Sequence, residues 1–325
     1  MPTRVLDLDF EHIPPAITGL DGYANAMVLL RIGGKPVERV YIPVHQGQVD
    51  GGELRAKTLR VAGGVFWESW LRAILSVPAS QAQAGPIPPA TVAVCTRDRP
   101  QDLRRCLEAL SRAAGPPHEI LVVDSCSSGP ATRQVVEGFP GVRYAREEAP
   151  GLDRARNRAL HEANHAIVAF IDDDAVPDPG WLPALVQNFR HNRVACVTGL
   201  TMPLELETAA QECFERYAPF SRKFARKVYD WKKLHPIGAG QAGAGVNMAL
   251  RRDALDKVGP FDEALDAGTP TRSGGETEMF SRLLAAGYQI VYDPSALNWH
   301  CHRRSWKELR RNMDKWPQYF QLLQS

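Results

Sequence analysis

From residue 91 onward the chain alternates short apolar runs with amphipathic stretches, and this alternation constrains the fold more than any other feature. Thr91-Val92-Ala93-Val94-Cys95 is an apolar run of strand length. A helical stretch follows from near Pro100, with Leu103, Leu107 and Leu110 recurring at spacings of four and three. Glu119 to Asp124 reads as a second buried strand and Val142-Arg143-Tyr144 as a shorter third. A helix from about Asp153 to Asn164 then leads into the strand Ala166 to Ile171. Strands alternating with helices predict an α/β fold, a mostly parallel sheet with helices on both faces. Ligands of such sheets bind beyond the carboxyl ends of the strands. Two of those ends are acidic here: Asp124, and Asp172-Asp173-Asp174.

Three consecutive carboxylates repel one another and call for a compensating cation. Hard divalent ions such as Mg²⁺ and Mn²⁺ take oxygen ligands, and Mg²⁺ commonly combines one or two carboxylates with substrate phosphates. A solvated acidic turn before Pro177 is the plain alternative. The position at the end of a buried strand, with Asp124 at another, favours a metal–phosphate site.

Composition narrows the class. Of 325 residues, 44 % are hydrophobic and 23 % charged, ordinary values for a globular chain able to bury a sizeable core. The formal net charge of +2 gives no reason to expect nucleic acid as a partner. Six cysteines without a C-x-x-C pair exclude the usual zinc-ribbon and thioredoxin spacings and fit reduced thiols. Met1 to Phe10 carries Asp7 and Asp9 and no long apolar run, unlike a signal peptide, and no stretch approaches the roughly 18 apolar residues of a membrane span. A cytoplasmic protein without a transmembrane segment is expected. Before residue 91 the pattern differs: a hairpin through Gly33-Gly34 and a short helix around Phe66 to Leu75 point to a small β-rich domain over 1–77. A Pro-, Ala- and Gln-rich linker over 78–90 follows, then the main domain over 91–305 and a basic helical tail over 306–325.

Four blocks together resemble the family-2 glycosyltransferases of the GT-A fold. They are Val92 to Pro100, Ile120 to Asp124, Gly151-Leu-Asp-Arg-Ala-Arg-Asn157, and Phe170-Ile-Asp-Asp-Asp-Ala-Val-Pro177, extended by Pro179-Gly180-Trp181. The resemblance implies a Rossmann-like GT-A domain that moves a sugar from a nucleotide-sugar, a UDP-sugar by preference, to an acceptor hydroxyl with inversion, using Mn²⁺ or Mg²⁺. It implies that Thr96, Arg97 and Arg99 line the nucleoside pocket and that Asp124 accepts the imino hydrogen of a uracil-type base. It places Arg156 near base and diphosphate, Asp172 on ribose or sugar hydroxyls with Asp173 beside it, and Asp174 on the metal. A leaving diphosphate needs such a cation and basic side chains. The chain departs from the family after Asp124, where Ser125-Cys126-Ser127-Ser128-Gly129 replaces the usual Asn-Gly-Ser turn.

Further along, Gly274-Gly275 precedes Glu276, and Met279, Leu283 and Ala286 form an apolar stripe stopped by Gly287. Glu276 thus falls in the first turn of a helix, whose N-terminus favours an ionised carboxylate. The resembling family reads Glu-Asp-x-Asp/Glu-Leu here, with the second acid as the base of the displacement. Aligning on Glu278, Met279 and Arg282 gives Glu276 that role and puts Gly275 where the first acid would be. Helix capping is the alternative for Glu276. Glu278 points about 200° away around the helix. Near the C-terminus, His300-Cys-His302-Arg303 resembles the last metal ligand of many GT-A enzymes, with His300 favoured over His302 and Arg303 serving the diphosphate. By the same resemblance the Arg- and Lys-rich segment from Glu205 to Leu234 faces the acceptor.

Two rivals remain from the residues themselves. A nucleotidyltransferase would carry a glycine-rich phosphate loop after its first strand, and Thr96 to Pro100 has no glycine. A noncatalytic nucleotide-sugar-binding protein of the same fold would tolerate the altered turn at 125–128. Gly238-Ala-Gly-Gln-Ala-Gly243 matches the dinucleotide fingerprint, but Pro236 precedes it and a strand-like run follows, so a loop is expected there instead.

Overall fold

The computed structural model describes residues 2–76, 87–113, 118–220 and 223–313. Most of the linker expected at 78–90, and the tail beyond residue 313, lie outside the described residues. The N-terminal part runs β1 (Thr3–Asp9), β2 (Ala16–Ile17), β3 (Asn25–Ile32), β4 (Lys35–Pro43), β5 (Val49–Asp50), α1 (Gly51–Val61) and α2 (Gly64–Ile74). The β3–β4 hairpin turns at Gly33 and Gly34, both at positive φ, where glycine carries no Cβ penalty. β1 pairs with β3 in parallel, and β2 with β5 forms a separate short ladder. Side chains of a strand alternate between faces. Ala26, Val28 and Leu30 of β3 accordingly join Phe10, Leu54 and Phe66 in one core, while Met27 and Leu29 join Leu200, Met202, Leu206 and Leu297 of the main domain in another.

The main domain continues through β6 (Ala90–Thr96), α3 (Pro100–Arg112), β7 (His118–Ser125), α4 (Ala131–Glu137), β8 (Val142–Glu147), α5 (Leu152–Glu162), β9 (Ile167–Asp172), β10 (Ala175–Pro177) and α6 (Trp181–Val186). It then runs through β11 (Val194–Pro203), α7 (Ala209–Tyr217), β12 (Lys227–Tyr229), β13 (Asn247–Arg251), α8 (Leu255–Val258), α9 (Gly275–Ala285), β14 (Gln289–His300) and α10 (Trp306–Met313). The sheet order is β10-β14-β11-β13-β9-β6-β7-β8, with β12 also on β14. Only the half β9-β6-β7-β8 is uniformly parallel. β13 runs antiparallel between β9 and β11, so the sheet is mixed where the alternation had predicted a mostly parallel one.

Helices cover both faces. Val92 and Val94 pack with Leu103, Leu107 and Leu110 of α3 on one side. Ala93, Leu121 and Val123 pack with Ala155 and Ala159 of α5 and Met279 and Leu283 of α9 on the other. The chain leaves β6 for β7 on one side and returns to its other side with β9. Strand order therefore reverses at β6, and the crevice outside the β6 and β9 carboxyl ends is where such sheets bind ligands. Thr96 and Asp172 end those two strands. The glycine-rich run at 238–243 lies in a 3₁₀ segment, Pro236–Ala242, that leads to β13 rather than to an α-helix, which excludes a dinucleotide turn.

Candidate active site

At the reversal point the acidic triplet meets the end of β14. One ligand atom each from Asp172, Asp174 and His300 lies within 4.8 Å of the others. His300 arrives because β10 pairs antiparallel with β14, Ala175 opposite His300, so the residue after the triplet is locked in register with it. His300 Nε2 stands 3.1 Å from Asp174 Oδ1. That oxygen is buried and accepts no well-formed hydrogen bond. A buried acceptor without a donor, facing an imidazole nitrogen and a second carboxylate, is a donor set suited to Mn²⁺ or Mg²⁺. Asp174 Oδ2 is held by Arg99 at 3.1 Å and Arg303 at 3.0 Å. Burial alone would raise the Asp174 pKa, but His300 when protonated, Arg303 and Arg99 outweigh it and keep the carboxyl well below the usual range. Asp174 stays ionised, as a ligand must.

Asp173 behaves differently. Thr96 Oγ1 donates to its Oδ2 at 2.7 Å and Arg99 reaches its Oδ1 at 3.1 Å. Burial and the neighbouring Asp174 push it up to about 7. Thr96 and Asp173 thus tie β6 to the end of β9, and both are buried. Burial and Asp174 also raise Asp172. Arg97 is not brought to this cluster: it is exposed, with Asp98 as an ion-pair partner at 3.9 Å. His302 also turns away, its Nε2 3.1 Å from Glu215 and its Nδ1 2.9 Å from His300 Nδ1.

Glu276 sits in the first turn of α9, one side of a second charged group. Arg156 is buried and donates to Asp153 Oδ1 and Asp266 Oδ2, each at 2.8 Å. A Cβ at Gly245 would fall 2.5 Å from Arg156 and 3.5 Å from the Glu276 Cβ, so this backbone passes against both. Burial and then Asp266 raise the Glu276 pKa, with Arg156 opposing. The helix N-terminus favours the ionised carboxylate, and burial together with Asp266 works against it. Glu278 is instead paired with Arg282 at 2.6 Å, whose guanidinium also donates to the Gly259 and Pro260 carbonyls.

Asp124 is buried near the end of β7, and its partners Ser127, Tyr144 and Arg146 line a recess of about 380 Å³ together with Ser128 to Pro130 and Arg133. Its Oδ1 accepts the Ser127 backbone N–H at 2.8 Å, and its Oδ2 accepts Tyr144 Oη at 2.8 Å and Arg146 at 3.4 Å. Cys126 adopts φ 58 in this turn, a left-handed conformation uncommon for a residue that carries a Cβ. Sequence reasoning missed Tyr144, Arg146, Asp153, Asp266 and Glu215. Only Asp153 left a signal, its i,i+3 spacing from Arg156 on a helix. The others are joined to the site by contacts remote in sequence.

Residues 91–259 match the model of glycosyl transferase family 2. The chain belongs to that family, and it is a glycosyltransferase. Among curated relatives, the glycosyltransferase AglE of Haloferax volcanii is 26 % identical over 224 residues, 66 % of this chain and 67 % of that one. The aligned part is 44 % of the pre-mycofactocin glycosyltransferase of Mycobacterium tuberculosis, so the chain spans under half of that relative. A mannosyltransferase from Pyrobaculum calidifontis in complex with GDP-Man and Mn²⁺ matches with TM-score 0.52 at 19 % identity, over 76 % of this chain and 67 % of that one. GalNAc-T7 with UDP, GalNAc and Mn²⁺ matches with TM-score 0.50 at 16 % identity, over 71 % and 48 %. At such identities the likeness establishes the fold, which is GT-A. No helix among the described residues is long and apolar enough to cross a membrane.

Proposed function

We propose that the chain transfers a sugar from a UDP-sugar to an acceptor hydroxyl with inversion, in a metal-dependent single displacement. The observation that carries this reading is the meeting of Asp172, Asp174 and His300 at the strand-order reversal, with Arg99 and Arg303 on the same carboxylate. A divalent cation held there would polarise the diphosphate and stabilise its charge as it leaves. Arg99 and Arg303 are placed to take part of that charge. The nucleobase would lie in the recess lined by Tyr144 and Arg146, both bonded to the buried Asp124, with Arg146 as the donor to a base carbonyl. GalNAc-T7 holds UDP and the Pyrobaculum enzyme GDP-Man, so the choice of uracil rests on this recess rather than on the fold.

Glu276 accepts the proton of the acceptor hydroxyl while that oxygen attacks the anomeric carbon. The bond from anomeric carbon to diphosphate oxygen breaks in the same step, its electron pair leaving with the diphosphate. Burial and Asp266 raise the Glu276 pKa, the direction that makes a carboxylate a stronger base. The metal part is tested by calorimetric titration of UDP with and without Mn²⁺. Wild type is expected to bind UDP more tightly with Mn²⁺ present, and Asp174→Asn to lose that difference. Equal UDP affinity with and without Mn²⁺ in the wild type would refute metal dependence.

A further inference from the structure

The His300-x-His302 pair is wired to a residue of the N-terminal sheet. The two Nδ1 atoms lie 2.9 Å apart, so one must donate and the other accept. His302 Nε2 lies 3.1 Å from Glu215 Oε2, and a carboxylate only accepts, so the His302 proton is on Nε2. Arg39 of β4 approaches the other oxygen of Glu215 at 2.5 Å and balances its charge, so a neutral His302 ring satisfies the pair. His302 Nδ1 is then the acceptor, and His300 must donate from its own Nδ1. That leaves a lone pair on His300 Nε2, the nitrogen 3.1 Å from Asp174 Oδ1. Phe220 and Phe214 hold the two ring planes, with centroids 5.0 Å from His300 and 4.6 Å from His302.

We propose that His302, Glu215 and Arg39 are positioning residues for the cation, fixing His300 as the tautomer whose Nε2 lone pair faces Asp174. The proposal rests on the reading of Asp172, Asp174 and His300 as the cation's ligands. Outer partners that orient a ligating imidazole typically change metal affinity by about 10- to 100-fold when removed. It also gives the N-terminal sheet a part in the site, because Arg39 lies 176 residues before Glu215, on a strand of a separate sheet.

The test is the Mn²⁺ affinity of the full chain, read from the EPR signal of free Mn²⁺ with UDP saturating. His302→Phe keeps a planar ring but cannot accept from His300, and its Mn²⁺ affinity is expected to fall about 10-fold or more. His302→Gln can accept from His300 through its oxygen and donate to Glu215 through its nitrogen, and is expected to recover most of the affinity. Arg39→Met should fall in the same direction by a smaller factor. If Asp174→Asn loses Mn²⁺ while His302→Phe binds it as wild type does, the relay is wrong and the cation site stands. If His302→Gln is as weak as His302→Phe, the residue acts by packing and the proposal fails. Wild-type affinity in Arg39→Met would remove the N-terminal sheet from the relay. Absence of Mn²⁺ binding by the wild type, or full binding by Asp174→Asn, would overturn the cation reading and this one with it.

Discussion

Arg156 is a single buried cation facing Asp153, Asp266 and, through the local field, Glu276. Three carboxylates cannot all be matched by one guanidinium, and Asp153 shows the consequence. Its Oδ2 is buried without a partner, and burial, with Asp266 and Glu276 adding to it, lifts its pKa to about 7. A carboxyl that holds its proton more tightly folded than unfolded stabilises the fold below the unfolded value. That stability is lost as pH rises from about 4 through about 7. Asp153→Asn does not titrate, so its stability relative to wild type is expected to improve by on the order of a few kcal/mol over that window. Urea unfolding at pH 5 and pH 8 measures this. A relative loss for the Asn variant with rising pH would mean that Arg156 holds Asp153 as an ordinary low-pKa carboxylate. The acids at 124, 172, 174 and 276 were legible because strand ends and a helix start advertise them. Asp266 was not, since it reaches Arg156 from 110 residues away on an irregular turn.

At the scale of elements, α9 explains how Glu276 is presented. Gly274 enters at φ 104, and Gly287 closes the helix at φ 88 with Tyr288 N–H bonding Leu283 and Gly287 N–H bonding Leu284, a Schellman end. Gly275 is required by a neighbour rather than by its φ: a Cβ there would lie 1.9 Å from Asp153 Oδ2. The Asp153 carboxylate from α5 occupies the space beside Gly275. Gly275→Ala is therefore expected to cost about 1–3 kcal/mol by overpacking, and to lower turnover by moving Glu276. Thermal unfolding alongside turnover checks both, and wild-type values for both would show that the contact is soft. The apolar runs that became β6, β7 and β9 could be read from the chain because each is buried on both faces and bounded by turns. The mixed half of the sheet could not. The antiparallel insertion of β13 depends on pairing with β9 and β11, and local apolar content does not record strand direction. β14 runs on through Pro294 to His300 because β11 pairs with it on both sides of a register shift.

At the scale of the molecule, the N-terminal sheet is held as part of the catalytic body. β3 is buried on both faces, one by its own helices and one by Leu200, Met202 and Leu297. Polar ties reinforce the seam, with Tyr23 donating to Glu207 at 2.7 Å and Arg31 paired with Asp178 at 2.5 Å. The hairpin was visible in sequence, but its docking was not, since an apolar strand face does not name its partner. The proposed reading, with a cation at Asp172, Asp174 and His300 and with Glu276 as the base of a single displacement, requires inversion. Slow hydrolysis of the donor by water tests this without knowledge of the acceptor. Wild type is incubated with an α-linked UDP-sugar and Mn²⁺, and proton NMR follows the free sugar before mutarotation. The account predicts that the β anomer appears first, and that Glu276→Gln slows its release about 10²-fold or more while UDP affinity holds. First appearance of the α anomer would contradict inversion, and undiminished release by Glu276→Gln would remove that residue from the mechanism.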